Sequence, residues 1–248
     1  MKLKLLGLLL VLLLPWSAGV AQTTIEHLEP PFWWVGFKEP TVQLMVHGDG
    51  IGRFTPSVEY PGVTVERVEH GKSPNYVFVY LAFGDEVKPG SFDIVFSSES
   101  ETLTHPYSLL QKNPDPAHAR GFGPADSIYL ITPDRFANGD TENDVVEGMR
   151  DNADRSNPGG RHGGDIQGMV DRLDYIAGMG FTAIWLNPLL ENAMAEYSYH
   201  GYSTTDFYRV DPRYGSNEQY RELVVQAKAR GLGLIMDMIV NHIGSDHW

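Results

Sequence analysis

The stretch that most constrains this chain is GLGLIMDMIVNH, from Gly231 to His242. Leu232 to Val240 is an almost unbroken apolar run containing one carboxylate, Asp237. Such a run, apolar on both alternating faces, suits a parallel strand covered on both sides. Ahead of it, Tyr220, Leu223, Val224 and Ala227 recur at i, i+3, i+4 and i+7, which predicts a helix over Asn217 to Arg230. Helix, glycine and buried strand form the second half of a βα unit. Asn241 and His242 then follow the last apolar residue, at the carboxyl end of the strand, where parallel α/β architectures hold their ligands. Taken singly, an Asp, Asn or His there is more often a turn former or a satisfied core group. The combination D-x-x-x-N-H carries more weight.

Upstream segments extend the same pattern. Ser127 to Thr132 reads as a short buried strand. Gly163-Gly164-Asp165 leads into a helix through Met179, with Met169, Val170, Leu173, Ile176 and Ala177 on one stripe. Phe181 to Leu186 is the next strand, closed by Asn187-Pro188. The resulting βαβαβ order supports a (β/α) barrel, of which about three strands are present. Two connections are polar. Asn138 to Asp144 is dense in side-chain oxygens and by its residues alone reads as a solvated turn. Glu191 to Asp211 is long and aromatic, with Tyr197, Tyr199, His200, Gly201, Tyr202 and Phe207. An aromatic ring can cover the apolar face of a pyranose while polar neighbours bind its hydroxyls, although packing is the commoner use.

From Thr23 to about Gln111 the texture is all-β. Val42 to Val46, Val63 to Val68, Tyr76 to Phe83 and Phe92 to Phe96 alternate with Gly, Pro and Asn clusters, which predicts a small β-sandwich. It lacks a cluster of titratable groups and is assigned no chemistry. Trp33 and Trp34 could form a sugar platform, but adjacent strand residues face opposite ways, so packing is the leading role. The polar, proline-bearing stretch Asn113 to Arg120 marks the domain boundary. Met1 to Ala21 reads as a signal peptide: Lys2 and Lys4, an apolar core from Leu5 to Leu14, then small residues before Gln22. That core is shorter than the ~20 residues a spanning helix needs. The expected organisation is therefore residues 1–21 as leader, 22–112 as sandwich and 113–248 as barrel segment. Export to the periplasm or the medium follows, with no membrane attachment after cleavage. A net charge of −13, from 19 basic and 32 acidic residues, argues against nucleic acid as partner. With no cysteine, disulfides and thiolate chemistry are excluded.

The segment Asp237 to His242 resembles the first signature region of the α-amylase superfamily, glycoside hydrolase family 13. GGD-x-x-G followed by GMGFTAIWLNP resembles the region around the second strand of that family's barrel, and Tyr199-His200-Gly201-Tyr202 with Asp206-Phe207 resembles the loop after it. The stretch Pro30 to Gly36, with Pro61-Gly62-Val63 and Pro74-Asn75-Tyr76, is similar to the N-terminal domain of cyclomaltodextrinases and neopullulanases. The resemblance implies the amino-terminal part of a longer exported enzyme that hydrolyses α-1,4-glucosidic bonds with retention.

It also implies residue roles. His200 and His242 would hydrogen-bond the sugar at the point of cleavage, Tyr202 would stack on its ring, and Asp237 would be a buried structural carboxylate. Asn138, Asp140, Asn143 and Asp144, with Asp165 and the Gly163 carbonyl, would form a calcium site of the oxygen-rich kind a hard cation prefers. Asn241 would ligate a separate structural calcium. The family's catalytic carboxylates lie on strands four and five, with a third aspartate after strand seven, positions that would follow Trp248; none is assigned here, and the chain alone is expected to be inactive. A homodimer of the complete enzyme acting on oligosaccharides or cyclodextrins is also implied. Alternatives are a glucanotransferase-like transglycosylase, which carries its β-domains after the barrel, and a non-catalytic carbohydrate-binding protein of the same fold.

Overall fold

The computed structural model describes residues 23–114 and 121–248. The leader lies outside the described residues, as do residues 115–120 of the link. The chain divides into two compact units between Lys112 and Asn113. Among the described residues no helix is long and apolar enough to cross a membrane.

The first unit is a sandwich of two four-stranded sheets. One contains β1 (His27–Glu29), β3 (Thr41–His47), β6 (Tyr76–Phe83) and β5 (Val63–His70) in that spatial order. The other contains β2 (Phe32–Val35), β8 (Thr102–Gln111), β7 (Gly90–Ser97) and β4 (Thr55–Val58). Period-two alternation explains the core: Leu44 and Val46 of β3, Val77, Val79 and Leu81 of β6, and Ile94 and Phe96 of β7 all point inward and are fully buried. Trp33 packs against that core, while its ring and that of Trp34 both lie within 6.0 Å of the Phe37 ring.

The second unit is built on three parallel strands, β9 (Ile128–Ile131), β10 (Ala183–Leu186) and β13 (Gly233–Met236), with β10 in the centre. Between β9 and β10 the chain forms α1 (Ile166–Val170) and α2 (Leu173–Gly178); between β10 and β13 it forms α3 (Asn217–Ala229). The single helix expected through Met179 is interrupted at Asp171–Arg172, where the Arg172 amide bonds Met169 O three residues back. Ser216 and Gln219 cap α3 reciprocally, and Leu223 and Ala227 of its inner face are buried. The excursion after β10 carries a short antiparallel pair, β11 (Leu190–Glu191) and β12 (Asp206–Val210).

The three strands end level. Leu186 pairs with Ile131 on one side and Met236 on the other, so the connections after all three emerge at one edge. The apolar run beginning at Leu232 differs from its expected form: only four residues are strand, and the sheet is covered on one face. Helices pack over Ile131, Ile184 and Leu186, whereas the paired Leu130 and Trp185 on the opposite face are 57% and 41% exposed. β13 stops at Met236 because its neighbour β10 stops at Leu186, two residues before Pro188, which has no amide hydrogen for a ladder. Past that point Met238 and Val240 face outward, Val240 at 91% exposure.

These burials set an order of mutational sensitivity. Phe96→Ala, in the sandwich core, is expected to cost about 3–5 kcal/mol. Val240→Ser, on an exposed residue, should change stability by less than about 0.5 kcal/mol. Denaturant unfolding of the two variants against the parent chain checks this ranking.

Candidate functional site

Because the strand ends are level, side chains distant in sequence meet there. The aromatic connection makes a 3-10 turn at Ser198–His200, bracketed by Tyr197 and Gly201, both left-handed with φ of 58° and 80°. Gly201 is required at its position, since a Cβ would collide with the Pro188 carbonyl. The turn sets His200 and Tyr202 side by side, ring centroids 5.7 Å apart. The Tyr202 amide donates to His200 Nδ1 at 2.9 Å, so that nitrogen is unprotonated and the Nε2–H is left as the ring's donor. Burial holds the His200 pKa below its ordinary value, which favours the same neutral form.

From the third strand's end, Asp237 reaches into this group. Its Oδ2 accepts from the Tyr202 hydroxyl at 3.0 Å and from Trp185 Nε1 at 3.3 Å. Burial and the Asp237 carboxylate push the Tyr202 phenol up, keeping it protonated as the donor. Asp237 is thus not the buried carboxylate expected: it is half-exposed at the open edge strand, and its partners lie upstream in the sequence. His242 is exposed and donates from Nε2 to the Tyr202 carbonyl at 2.8 Å, while its Nδ1 accepts from Asn241 Nδ2 at 3.2 Å. Both ring nitrogens of His242 are therefore engaged within the protein. A sugar hydroxyl would have to displace one of those bonds. Asn241 is exposed and serves the His242 ring.

The oxygen-rich connection after β9 folds onto the start of α1. Asp165 is fully buried and accepts four N–H groups: Gly139 N at 3.0 Å, Gly168 N at 2.6 Å, Asp140 N at 2.8 Å and Asn143 Nδ2 at 3.2 Å. Asp140 and Asp165 thus share one locus. Asn138 Nδ2 donates to Asp144 Oδ1 at 2.8 Å, and Gly163, at φ 83°, lies so close that a Cβ there would overlap Asp144 Oδ1. Burial, with Asp165 and Asp134 behind it, holds the Asp144 carboxyl above its ordinary range against opposing contributions from Asn138 and Arg155. Two amide oxygens, Asn138 Oδ1 and Asn143 Oδ1, are buried without a donor. An unsatisfied buried acceptor costs about 1–3 kcal/mol. Orphaned amide oxygens beside a carboxylate are the donor set a hard cation takes, and the residues fit calcium.

A second group, which the sequence reading did not single out, is buried in the same unit. Asp134, Arg161, Asp211 and Arg213 are each at most 1% exposed. Arg213 bonds Asp211 through Nε at 2.9 Å and Nη2 at 2.7 Å, and donates to the carbonyls of Asp151 and Asn192 at 2.7 Å each. Burial alone would raise the Asp211 pKa, but the Arg213 bonds and charge, aided by Arg161, bring it below its ordinary 3.8. Asp134 accepts from the amides of His162 and Gly163 and ion-pairs with Arg135, while Arg161 Nε lies 3.8 Å from it. Arg135 in turn lies 3.9 Å over the Tyr199 ring. Asp211 and Arg213 are only two residues apart, but the carbonyls that Arg213 also holds are 21 and 62 residues away, which local spacing could not reveal.

Residues 130–248 match the family model of the alpha amylase catalytic domain, and residues 27–113 match that of the cyclomaltodextrinase N-terminal domain. A beta/alpha-amylase of Paenibacillus polymyxa is 47% identical over 118 residues, 48% of this chain and 10% of that protein. A cyclomaltodextrinase of Thermoanaerobacter pseudethanolicus is 38% identical over 119 residues, covering 48% and 20%. Neopullulanase 2 of Thermoactinomyces vulgaris is 40% identical over 121 residues, covering 47% and 20%. The matches thus span only about a tenth to a fifth of these relatives' lengths.

The Asp211–Arg213 pair makes a prediction with a defined pH sign. The Asp211 pKa is lower folded than unfolded, so its contribution is fully present above 3.8 and is lost as pH falls through the folded value. Asp211→Asn leaves Arg213 buried without its counter-charge and should cost about 3–5 kcal/mol near neutral pH. The gap between parent and variant melting temperatures should narrow as the solution is acidified below that value.

Proposed function

We propose, for a chain that belongs to the α-amylase superfamily and carries a cyclomaltodextrinase-type domain ahead of the start of the catalytic domain, that it is part of an enzyme hydrolysing α-1,4-glucosidic bonds in maltooligosaccharides or cyclodextrins. The observation carrying this reading is the bonded group of His200, Tyr202, Asp237 and His242 at the level strand ends. The Tyr202 ring is fixed through its hydroxyl by Asp237 and through its main chain by both histidines. A ring fixed in that way suits stacking on a pyranose with little loss of side-chain freedom. His200 offers its Nε2–H to a sugar hydroxyl. His242 chiefly buttresses Tyr202 and can exchange its Asn241 or carbonyl bond for a hydroxyl.

Retaining hydrolysis needs two carboxylates about 5–5.5 Å apart. This group contains one, and it is engaged by Tyr202 and Trp185. The 248-residue chain is therefore proposed to bind sugar without turning it over. The leader supports export, and the N-terminal unit supports a dimeric whole enzyme of the cyclomaltodextrinase type. That unit favours hydrolysis over glucanotransfer, since transglycosylases of this superfamily carry their β-domains after the barrel.

Calcium is proposed at Asn138, Asn143 and Asp144 with the Gly163 carbonyl and Asp140; Asp165, expected as a ligand, instead has its acceptor positions filled by four N–H groups. Asp165, through its N–H bonds, ties the two contributing segments together. The ion would supply charge that neutralises Asp144 and satisfies the orphaned amides. At calcium a hundredfold above its Kd the chain should gain about 2.7 kcal/mol of stability. Asp144→Asn should remove most of that gain, measured by thermal unfolding with and without a chelator.

Maltotriose titrated onto the full chain tests the sugar reading. Tyr202→Ala should weaken binding at least about tenfold, or about 1.4 kcal/mol. Its melting temperature should stay close to the parent's, because the ring is half-exposed. Absence of saturable binding by the parent chain at millimolar sugar would remove the assignment.

A further inference from the structure

We infer that the buried pair Arg161 and Asp151 positions the Ser198–His200 turn, and with it His200 and Tyr202, by gripping Ser198 from two sides. The inference rests on the reading of His200 and Tyr202 as sugar contacts.

A three-residue 3-10 turn has little stability of its own. This one has no side-chain cap and is flanked by Tyr197, a non-glycine residue at φ 58°. Such a conformation is strained and persists where the surroundings over-determine it. Here the surroundings do so. The Ser198 amide donates to Asp151 Oδ2 at 2.9 Å. Its hydroxyl accepts from Arg161 Nη1 at 3.3 Å, and its carbonyl accepts from Asn192 Nδ2 at 3.4 Å. The next carbonyl, of Tyr199, accepts from the Tyr214 hydroxyl at 2.6 Å. The amide and hydroxyl of Ser198 are thus taken by side chains from another segment, and its carbonyl by Asn192 and the Gly201 amide of its own connection.

Burial shows that these contacts are built in. Ser198 is 0% exposed, Arg161 1% and Asp151 9%. Burying an arginine and an aspartate costs free energy unless each is paired and hydrogen-bonded, and here both direct one of those bonds at Ser198. The Arg161 guanidinium is balanced by Asp134 at 3.8 Å and stacks over the Tyr214 ring at 4.5 Å, so it cannot easily swing away. Its chain neighbours His162 and Gly163 are fixed by amide bonds to the same Asp134. Asp151, 47 residues from Ser198, has its own carbonyl bonded by Arg213. The grip therefore ties the connection after β9 to the connection after β10.

What the turn carries is His200. Its ring is flanked by Tyr199 at 5.4 Å and Tyr202 at 5.7 Å; the charged groups next to these are Arg135, over Tyr199, and Asp237, bonded to Tyr202. Tyr202 is registered to His200 by the amide-to-Nδ1 bond, so displacement of the turn moves both. Arg161, Asp151 and Ser198 are positioning residues that act through His200 and Tyr202.

The test uses the full chain with histidine-labelled NMR and maltotriose titration, comparing the parent with Ser198→Ala and Arg161→Lys. Ser198→Ala removes one hydroxyl and Arg161→Lys keeps the charge while removing the planar donor. With circular dichroism unchanged, each should let water reach His200, so its pKa moves up toward the ordinary 6.5. Each should also weaken maltotriose binding about tenfold, the scale of one misplaced hydrogen bond. Asp151→Asn, which keeps an acceptor oxygen for the Ser198 amide, should retain more of both properties. A folded Ser198→Ala or Arg161→Lys chain with the parent's His200 titration and the parent's affinity overturns the inference. If the parent fails to bind maltotriose, the sugar reading falls, while the His200 titration still decides whether the grip positions the turn.

Discussion

The ligand-facing side of the second unit depends on charges that do not reach water. Arg213 and Asp211 exchange two hydrogen bonds with both side chains fully buried, and Arg213 spends its other donors on the carbonyls of Asp151 and Asn192. Desolvating such a pair costs several kcal/mol per ion, which good geometry offsets only in part. Net stability is therefore a weak explanation for it. A better one is uniqueness. The connections after β9 and β10 are long and carry only short regular elements, and a guanidinium with fixed donor directions admits few alternative arrangements of the carbonyls around it.

Asp165 does the same work with one carboxylate. Its four N–H partners come from the Gly139–Asn143 stretch and from the first turn of α1, so a helix cap also fastens a loop. The connection after β9 is consequently held at two points, by Asp165 near its oxygen-rich bend and by Asp134 near the glycines. Between these points lie the orphaned amide oxygens of Asn138 and Asn143. Order imposed by buried carboxylates leaves those two groups in place without partners of their own, a preformed set for a cation.

Much of the architecture was legible from pattern. The alternation that predicted a strand over Tyr76 to Phe83 gives β6 with those bounds, and the period of Tyr220, Leu223 and Ala227 gives α3. Strand and helix periodicities are local, set by whether successive side chains point to opposite faces or return every 3.6 residues. Val224, grouped by periodicity with the apolar face, is 39% exposed, because a stripe in sequence is broader than the surface that covers it. The residues at the candidate site were also legible, as residue types after strand ends. Their bonding was not. Asp237 lacks the burial that the family resemblance implied, because an edge strand with one covered face leaves it half-open.

The sequence by itself determined a sandwich followed by βαβαβ, the strand ends where polar side chains would emerge, and an oxygen-rich bend after the first strand. Those features follow from periodicity, turn residues and composition, which act over a few residues. Only the tertiary structure decided that the strands end level, that His242 bonds to the Tyr202 carbonyl, and that two arginines and three aspartates lock the intervening loops. The physical reason is range. A hydrogen bond between Arg213 and residue 151, or between Ser198 and Asp151, depends on where the whole chain folds back, and neither partner carries a mark of the other in its own neighbourhood.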